Sequence, residues 1–323
     1  MKRNERMVAL YLGGLLLGIF NVTLLVLIQG FSKYVYMAIG LLAALQAAGL
    51  MWYLHEEKPP KSRLLHLLLR LNHLSCLVTA GATVYLYLTM AAQFHAVLKP
   101  DASGDITALD MQAVESAENC YVYKTGNLYL MFPQYREIRY VFADCPSMND
   151  PELTMFATSA FFSTYELSSR HENVVGAHAS QGVYHDGAAE KNLSAFTFYD
   201  GEAHFVLDDP DAAVKTAAEH GGDGFEQFMT IWNGEKKWDY LTKRRCYRML
   251  TELNGRVCII ECASIMSYAD FIAAVQALGV QKALYLDMGA PSSYSQYRNN
   301  DGKVINLFGK RGEFCHSWVA FYK

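Results

Sequence analysis

Three long apolar segments dominate the first hundred residues of the chain. Runs without Asp, Glu, Lys or Arg cover 7–28, 34–54 and 71–92. Each run is about as long as a helix must be to cross the hydrocarbon core of a bilayer. Basic residues precede the first run and also separate the second run from the third, which predicts a cytoplasmic N-terminus. We therefore expect residues 1–98 to form a membrane unit of three transmembrane helices, retained rather than cleaved.

The pattern changes after the third apolar run. Asp, Ser, Gly and Thr are frequent over 99–116, which we interpret as a linker. A domain over 117–323 follows, and three crossings would place it outside the cytoplasm, with the protein integral to an inner or plasma membrane. Because charged residues recur throughout this part, we expect a folded globular domain there.

Two hairpins are predicted in the domain. The first joins strands 121–123 and 128–132 through a turn that contains Gly126 and Asn127. The second joins 195–199 and 203–206 through Asp200-Gly201, a dipeptide typical of two-residue hairpin turns.

The last third of the domain alternates strand, helix and strand. Residues 256–263 alternate between two faces, and Ser267 with Asp270 forms a capping box that opens a helix. A second strand over 283–286 ends at Asp287. If the two strands pair in parallel, Glu261 and Asp287 would lie near each other at one edge of the sheet. The predicted fold class is α+β, a mixed β-sheet domain with helices behind three transmembrane helices.

Asp287 allows two interpretations. Ligands gather at the carboxyl ends of strands in sheets with helical crossovers, so a carboxylate there is a candidate site residue. An aspartate in this position can equally cap its own turn by accepting hydrogen bonds from nearby backbone amides.

Composition excludes several functional classes. The net charge is −4 and the isoelectric point about 6.2, and no basic stripe carries interleaved aromatic residues, so nucleic-acid binding is not expected. The histidines are too scattered for a metal motif, and no cofactor-binding loop is present, so we predict neither a metal nor a cofactor. Six of the seven cysteines fall in the domain, where up to three disulfides are possible.

Five segments of the domain carry a resemblance in chain order. Ser159 lies in the first, Gly182 in the second, Gln227 in the third and Arg245 in the fourth, with Arg244 or Arg248 as alternatives to Arg245. The segments read Ala157-Thr158-Ser159-Ala160-Phe161-Phe162, Gln181-Gly182-Val183-Tyr184-His185-Asp186-Gly187, Glu226-Gln227-Phe228-Met229, Arg244-Arg245, and the strand 283–286 with Asp287-Met288 and Ser292-Ser293. Together they resemble landmarks of the phosphodiester glycosidase family.

The resemblance implies a membrane-anchored hydrolase that cleaves a sugar-1-phosphodiester bond in envelope or extracellular glycans. Asp287 would be the catalytic carboxylate, Glu261 a second carboxylate and Arg245 the phosphate ligand. Hydrogen bonds to the sugar or phosphate would come from Gln227, Ser159, Ser292 and Ser293.

A second reading remains open. Thr158 or Ser159 replaces the asparagine of the family pattern, and Met288 replaces a glycine. The alternative is therefore a catalytically inactive, membrane-tethered module that binds a glycan or a protein.

Overall fold

The computed structural model describes a β-rich domain. The residues described are 98–162, 170–239, 244–288, 294–308 and 315–323, together with Arg70, Leu74 and Gly81. The chain divides into two compact units, Met1–Ala92 with Tyr165–Leu167 and Gln93–Thr164 with Ser168–Lys323. The elements given below all belong to the second unit.

The described residues from 98 onward form eighteen strands, three α-helices and two short 3-10 turns. The strands are β1 (Ala102–Ser103), β2 (Cys120–Thr125), β3 (Leu128–Pro133), β4 (Glu137–Phe142), β5 (Leu153–Thr158), β6 (His178–Ser180), β7 (Val183–His185), β8 (Ser194–Tyr199), β9 (Glu202–Val206), β10 (Asp223–Gln227), β11 (Met229–Trp232), β12 (Glu235–Lys236), β13 (Arg248–Leu253), β14 (Arg256–Cys262), β15 (Lys282–Tyr285), β16 (Ser295–Arg298), β17 (Val304–Phe308) and β18 (Ser317–Tyr322). The helices are α1 (Met111–Glu115), α2 (Pro210–Glu219) and α3 (Tyr268–Ala277), and the 3-10 turns are Ile106–Ala108 and His171–Asn173.

These strands form three sheets. Sheet 1 has the order β1-β2-β3-β14-β13-β15-β11-β12, sheet 2 the order β17-β16-β5-β18-β4, and sheet 3 the order β7-β6-β10-β8-β9. Within the described part of the chain, β1 and β2 pair in parallel, and the other named pairs are antiparallel.

Both hairpins form as the sequence predicts. β2 pairs with β3 and β8 pairs with β9, each in antiparallel register. In the second hairpin Asp200 and Gly201 both have positive φ, at 52° and 79°, as a two-residue turn of this kind requires.

The predicted fold class is wrong. The described chain is mostly β, and β14 and β15 are not neighbours, because β13 lies between them and is antiparallel to both. β13 joins β14 through Asn254-Gly255, two residues with positive φ, and this hairpin occupies the place that a parallel β15 would have needed.

The three predicted transmembrane helices are not supported by the described residues either. No helix formed by the described residues is long and apolar enough to cross a membrane. The predicted spans 7–28, 34–54 and 71–92 lie outside the described residues, except for Leu74 and Gly81. The predicted linker 99–116 contains β1, a 3-10 turn and α1, and its Val114 is fully buried.

Two hydrophobic clusters lie on opposite faces of sheet 1. Val257 and Ile259 of β14 belong to one cluster, and Cys258 and Ile260 belong to the other. This is the alternation that the sequence of β14 predicts. The first cluster also receives side chains from sheets 2 and 3, so it joins all three sheets.

Helix α3 covers the second cluster. Its N-cap Ser267 accepts a hydrogen bond from the Asp270 amide, as the capping box predicts. Phe271 and Val275 of its apolar face are fully buried against sheet 1.

Candidate functional site

The ends of three strands, one from each sheet, meet at the carbonyl oxygen of Ser159. Ser159 follows β5, Gln227 ends β10, and Asp287 lies two residues beyond β15. The Asp287 amide donates to this oxygen at 3.1 Å and Gln227 Nε2 donates to it at 3.3 Å. The Thr158 hydroxyl donates to the Asp287 carbonyl at 2.6 Å. The structure therefore brings together three residues that the sequence placed in separate motifs.

All three residues are buried, with exposed fractions of 0% for Ser159, 1% for Gln227 and 8% for Asp287. The amide group of Gln227 is occupied at both ends, because its Oε1 also accepts a hydrogen bond from the Phe228 amide at 2.9 Å. By contrast, the Ser159 hydroxyl has no hydrogen-bond partner among the described residues. Gln227 thus fixes the strand ends, whereas Ser159 retains an unused hydroxyl.

Arg245 lies beside the same strand end. Its backbone exchanges hydrogen bonds with Met266, and its guanidinium lies 5.5 Å from the Tyr247 ring centroid. Arg245 Nη2 donates to the Tyr285 hydroxyl at 3.3 Å. Its Nε is buried without an acceptor, and in the described part of the chain no carboxylate forms an ion pair with it.

Tyr285 contacts Arg245 and lies two residues before Asp287. Burial raises the pKa of the Tyr285 phenol; the Arg245 charge opposes this shift and the Asp287 charge adds to it. Both charges therefore act on one hydroxyl. We call Ser159, Gln227, Arg245, Tyr285 and Asp287 the Asp287 site.

Glu261 lies in a different environment from the one predicted. It is completely buried in an ion pair with Arg248, whose exposed fraction is also 0%. Arg248 Nε donates to Glu261 Oε2 at 2.6 Å; Nη2 lies 2.6 Å from the same oxygen but is not aligned for a hydrogen bond. Arg248 Nη1 donates to the Ser295 hydroxyl at 2.5 Å. Glu261 and Arg248 form an internal ion pair inaccessible to solvent.

The three candidate arginines are thereby distinguished. Arg248 forms its ion pair with Glu261. Arg244 is exposed and donates a hydrogen bond to the Ile265 carbonyl at 3.4 Å. Arg245 is the candidate with both partial burial and an unused donor.

Ser292 and Ser293 lie outside the described residues. So do 163–169, 240–243 and 309–314, which are close in sequence to Ser159, Arg245 and β17.

Half-buried aromatic residues stand beside Tyr285. Phe228 stacks on Trp238 with ring centroids 4.4 Å apart, and the Trp238 and Phe161 rings each lie 5.4 Å from Tyr285. These residues were not predicted from the sequence. Phe161 and Phe228 follow Ser159 and Gln227 so closely that the motifs themselves could have indicated them.

A stack of three histidines was also missed. His171 and His185 lie face to face with centroids 3.5 Å apart, and His171 Nδ1 is 2.8 Å from His178 Nε2. Tyr140 covers His178 at 5.2 Å. Burial lowers the pKa of His178 to about 3, and the charges of His171 and His185 add to this shift. The turn Gln181-Gly182 was the available signal, because it pairs His178 with His185.

The part of the chain that the structure describes contains no cluster of metal-binding side chains and no disulfide among its six cysteines.

Likeness to known proteins is found in structure and not in sequence. No protein-family model matches the chain, and no curated protein sequence does. Among solved structures, the chain is similar to the zebrafish N-acetylglucosamine-1-phosphodiester alpha-N-acetylglucosaminidase catalytic domain, auto-inhibited by its pro-peptide. The TM-score is 0.46 at 10% identity, and the likeness covers 61% of this chain and 76% of that one.

Proposed function

We propose that the domain hydrolyses a sugar-1-phosphodiester at the Asp287 site. The proposal rests mainly on Arg245, which is half-buried and has an Nε donor without an acceptor. A guanidinium that is partly removed from water is costly unless an anion pairs with it, and none of the described residues supplies one. The planar fork of arginine matches two phosphate oxygens, so a phosphodiester is the anion that we propose.

Asp287 is the proposed catalytic carboxylate. Cleavage between the anomeric carbon and the phosphate oxygen passes through a state with positive charge on the sugar. A carboxylate beside that carbon stabilises this charge or activates the attacking water. Phosphate is a good leaving group, so the reaction depends less on a second carboxylate acting as general acid. This matters because Glu261 is inaccessible to solvent.

The aromatic residues would bind the rest of the ligand. Ser159 has an exposed fraction of 0%, so we propose that it positions the site through its carbonyl oxygen, which accepts hydrogen bonds from the Asp287 amide and from Gln227. Phe161 and Trp238 offer apolar surface for a sugar ring. We propose that Gln227 positions the site rather than contacts substrate, because both ends of its amide are already bonded.

The second candidate is a binding module without catalysis. It is favoured by the main chain of Asp287, which is tied to Ser159 through its amide and to Thr158 through its carbonyl. An aspartate held in this way also suits a purely structural role.

The test uses the purified full chain and a panel of sugar-1-phosphate methyl diesters, with released sugar measured by its reducing end. We expect wild type to release sugar and Asp287→Asn to lower kcat by about 10²- to 10⁴-fold. Arg245→Gln should mainly raise KM for the phosphodiester. Arg244→Gln, at the exposed neighbouring arginine, is the matched control and should change neither constant.

Two results would overturn the hydrolase proposal. One is the absence of sugar release by wild type from every diester, and the other is undiminished release by Asp287→Asn. If wild type binds a diester without cleaving it, and Arg245→Gln weakens that binding, the binding module is supported instead.

A further inference from the structure

A cavity of about 420 Å³ opens beside sheet 3, and none of the residues of the Asp287 site lines it. It lies between the segment after β7, the first turn of α2 and the end of β10. Four of its lining residues are acidic: Asp186, Glu190, Asp211 and Glu226. Its volume is within the range of sites that hold small molecules.

Glu226 is the buried member of this group, with an exposed fraction of 7%. It precedes Gln227 on β10, and because side chains alternate along a strand, the two point to opposite faces. A methyl group added to Gly176 would lie 2.6 Å from Glu226 Oε2, so the carboxylate lies directly against this glycine. Only glycine leaves room for it there.

Among the described residues no cation forms an ion pair with the Glu226 carboxylate. Burial raises its pKa and the Asp211 charge adds to this shift, whereas the hydrogen bond from the Ala177 backbone and the more distant Lys215 charge offset part of it. Among the described residues no side chain forms a hydrogen bond or ion pair with it. A carboxylate removed from water and facing a cavity is costly unless a cation joins it.

One cation, Lys215, already pairs with an acidic residue of the cavity. Lys215 Nζ lies 2.6 Å from Asp211 Oδ2 and 5.1 Å from the Tyr184 ring centroid. The Tyr184 hydroxyl lies 2.8 Å from Asp186 Oδ1 and 2.5 Å from Asp211 Oδ1, and its single proton is donated to one of the two carboxylates at a time. Four carboxylates and one ammonium leave an excess of three negative charges when all are ionised.

We propose that this cavity binds a ligand that carries a primary ammonium group, with Glu226 and Asp186 as its acceptors. An ammonium donates three hydrogen bonds, and carboxylate oxygens accept them. The described carboxylates are not arranged as metal ligands, which favours an ammonium over a divalent cation. An amino sugar and a linear diamine share this chemistry.

Isothermal titration calorimetry of the full chain tests the proposal with D-glucosamine and 1,5-diaminopentane as probes. We expect saturable binding of at least one amine and no binding of N-acetylglucosamine, whose nitrogen carries no charge. If glucosamine binds more tightly, the natural ligand is of the amino-sugar class. If the diamine binds more tightly, the natural ligand is a linear amine. Glu226→Gln should weaken binding at least tenfold, whereas Glu252→Gln, an exposed acid on β13, should leave it unchanged.

Three results would overturn the proposal: no saturation with either amine, equal affinity in wild type and Glu226→Gln, or tighter binding of calcium chloride than of both amines. The thermal melting of each variant is measured alongside. If Glu226→Gln does not fold, Asp186→Asn at the exposed mouth provides the same comparison and should also weaken amine binding.

Discussion

Replacing Glu261 by glutamine separates a structural role from a catalytic one. The substitution keeps the shape of the side chain but removes its charge, so Arg248 remains as an unpaired cation with an exposed fraction of 0%. Among the described side chains, Arg248 also contacts the Ser295 hydroxyl and the Phe308 ring, and neither carries a charge. We expect Glu261→Gln to destabilise the domain strongly, whatever it does to activity.

The expected loss of unfolding free energy is large because Glu261 and Arg248 are both buried. Breaking a buried ion pair on one side costs about 3–5 kcal/mol, because the other charge stays in a medium that solvates it poorly. In a domain of this size, each kcal/mol lowers the melting temperature by roughly 2–4 °C, so a fall on the order of 10 °C is expected. Urea unfolding and thermal melting of the full chain measure both quantities.

Two controls sharpen the experiment. Glu137→Gln breaks the Glu137–Arg139 pair, whose side chains are 45% and 32% exposed, and should cost less than about 1 kcal/mol. The double variant Glu261→Leu with Arg248→Met removes both charges and should regain most of the stability lost by Glu261→Gln. If Glu261→Gln unfolds like wild type but releases no sugar, the structural assignment is refuted and Glu261 is catalytic.

Local structure in this domain could be predicted from local signals. The Asp200-Gly201 hairpin and the Ser267 cap each depend on a few adjacent residues, and both form. The pairing of β14 and β15 depends on which strand takes the place between them. That place goes to β13, whose hairpin with β14 closes over two residues and forms at a lower entropic cost than a long crossover.

The same distinction applies to the Asp287 site. Its residues could be proposed from the sequence because each falls within a motif that can be read along the chain. The sequence could not show which acid would be buried beside which base. Glu261 and Arg248 are 13 residues apart, yet directly opposite each other across β13 and β14. Glu226 was overlooked for a related reason, since its place beside the cavity depends on Gly176, fifty residues earlier.

Two further substitutions test the histidine stack and the close approach of Gly187. Below pH 6.5 the unfolded chain protonates His178 while the folded chain, with a pKa of about 3 there, does not, so this residue should remove roughly 2–3 kcal/mol of unfolding free energy by pH 4.5. Burial raises the pKa of Asp223 to about 6, which offsets part of this loss in the wild type. His178→Gln should therefore gain stability relative to wild type as the pH falls from 7 to 4.5, and parallel urea midpoints for the two proteins would contradict the assignment. A Cβ at Gly187 would lie 1.9 Å from the Gly176 carbonyl oxygen, a backbone atom that has little freedom to move away. Gly187→Ala should therefore cost on the order of 3 kcal/mol in urea unfolding, and it should also weaken amine binding, because Gly187 lines the cavity. A wild-type midpoint for Gly187→Ala would show that these two segments are not in contact, and the shape of the cavity beside Glu226 would then be wrong.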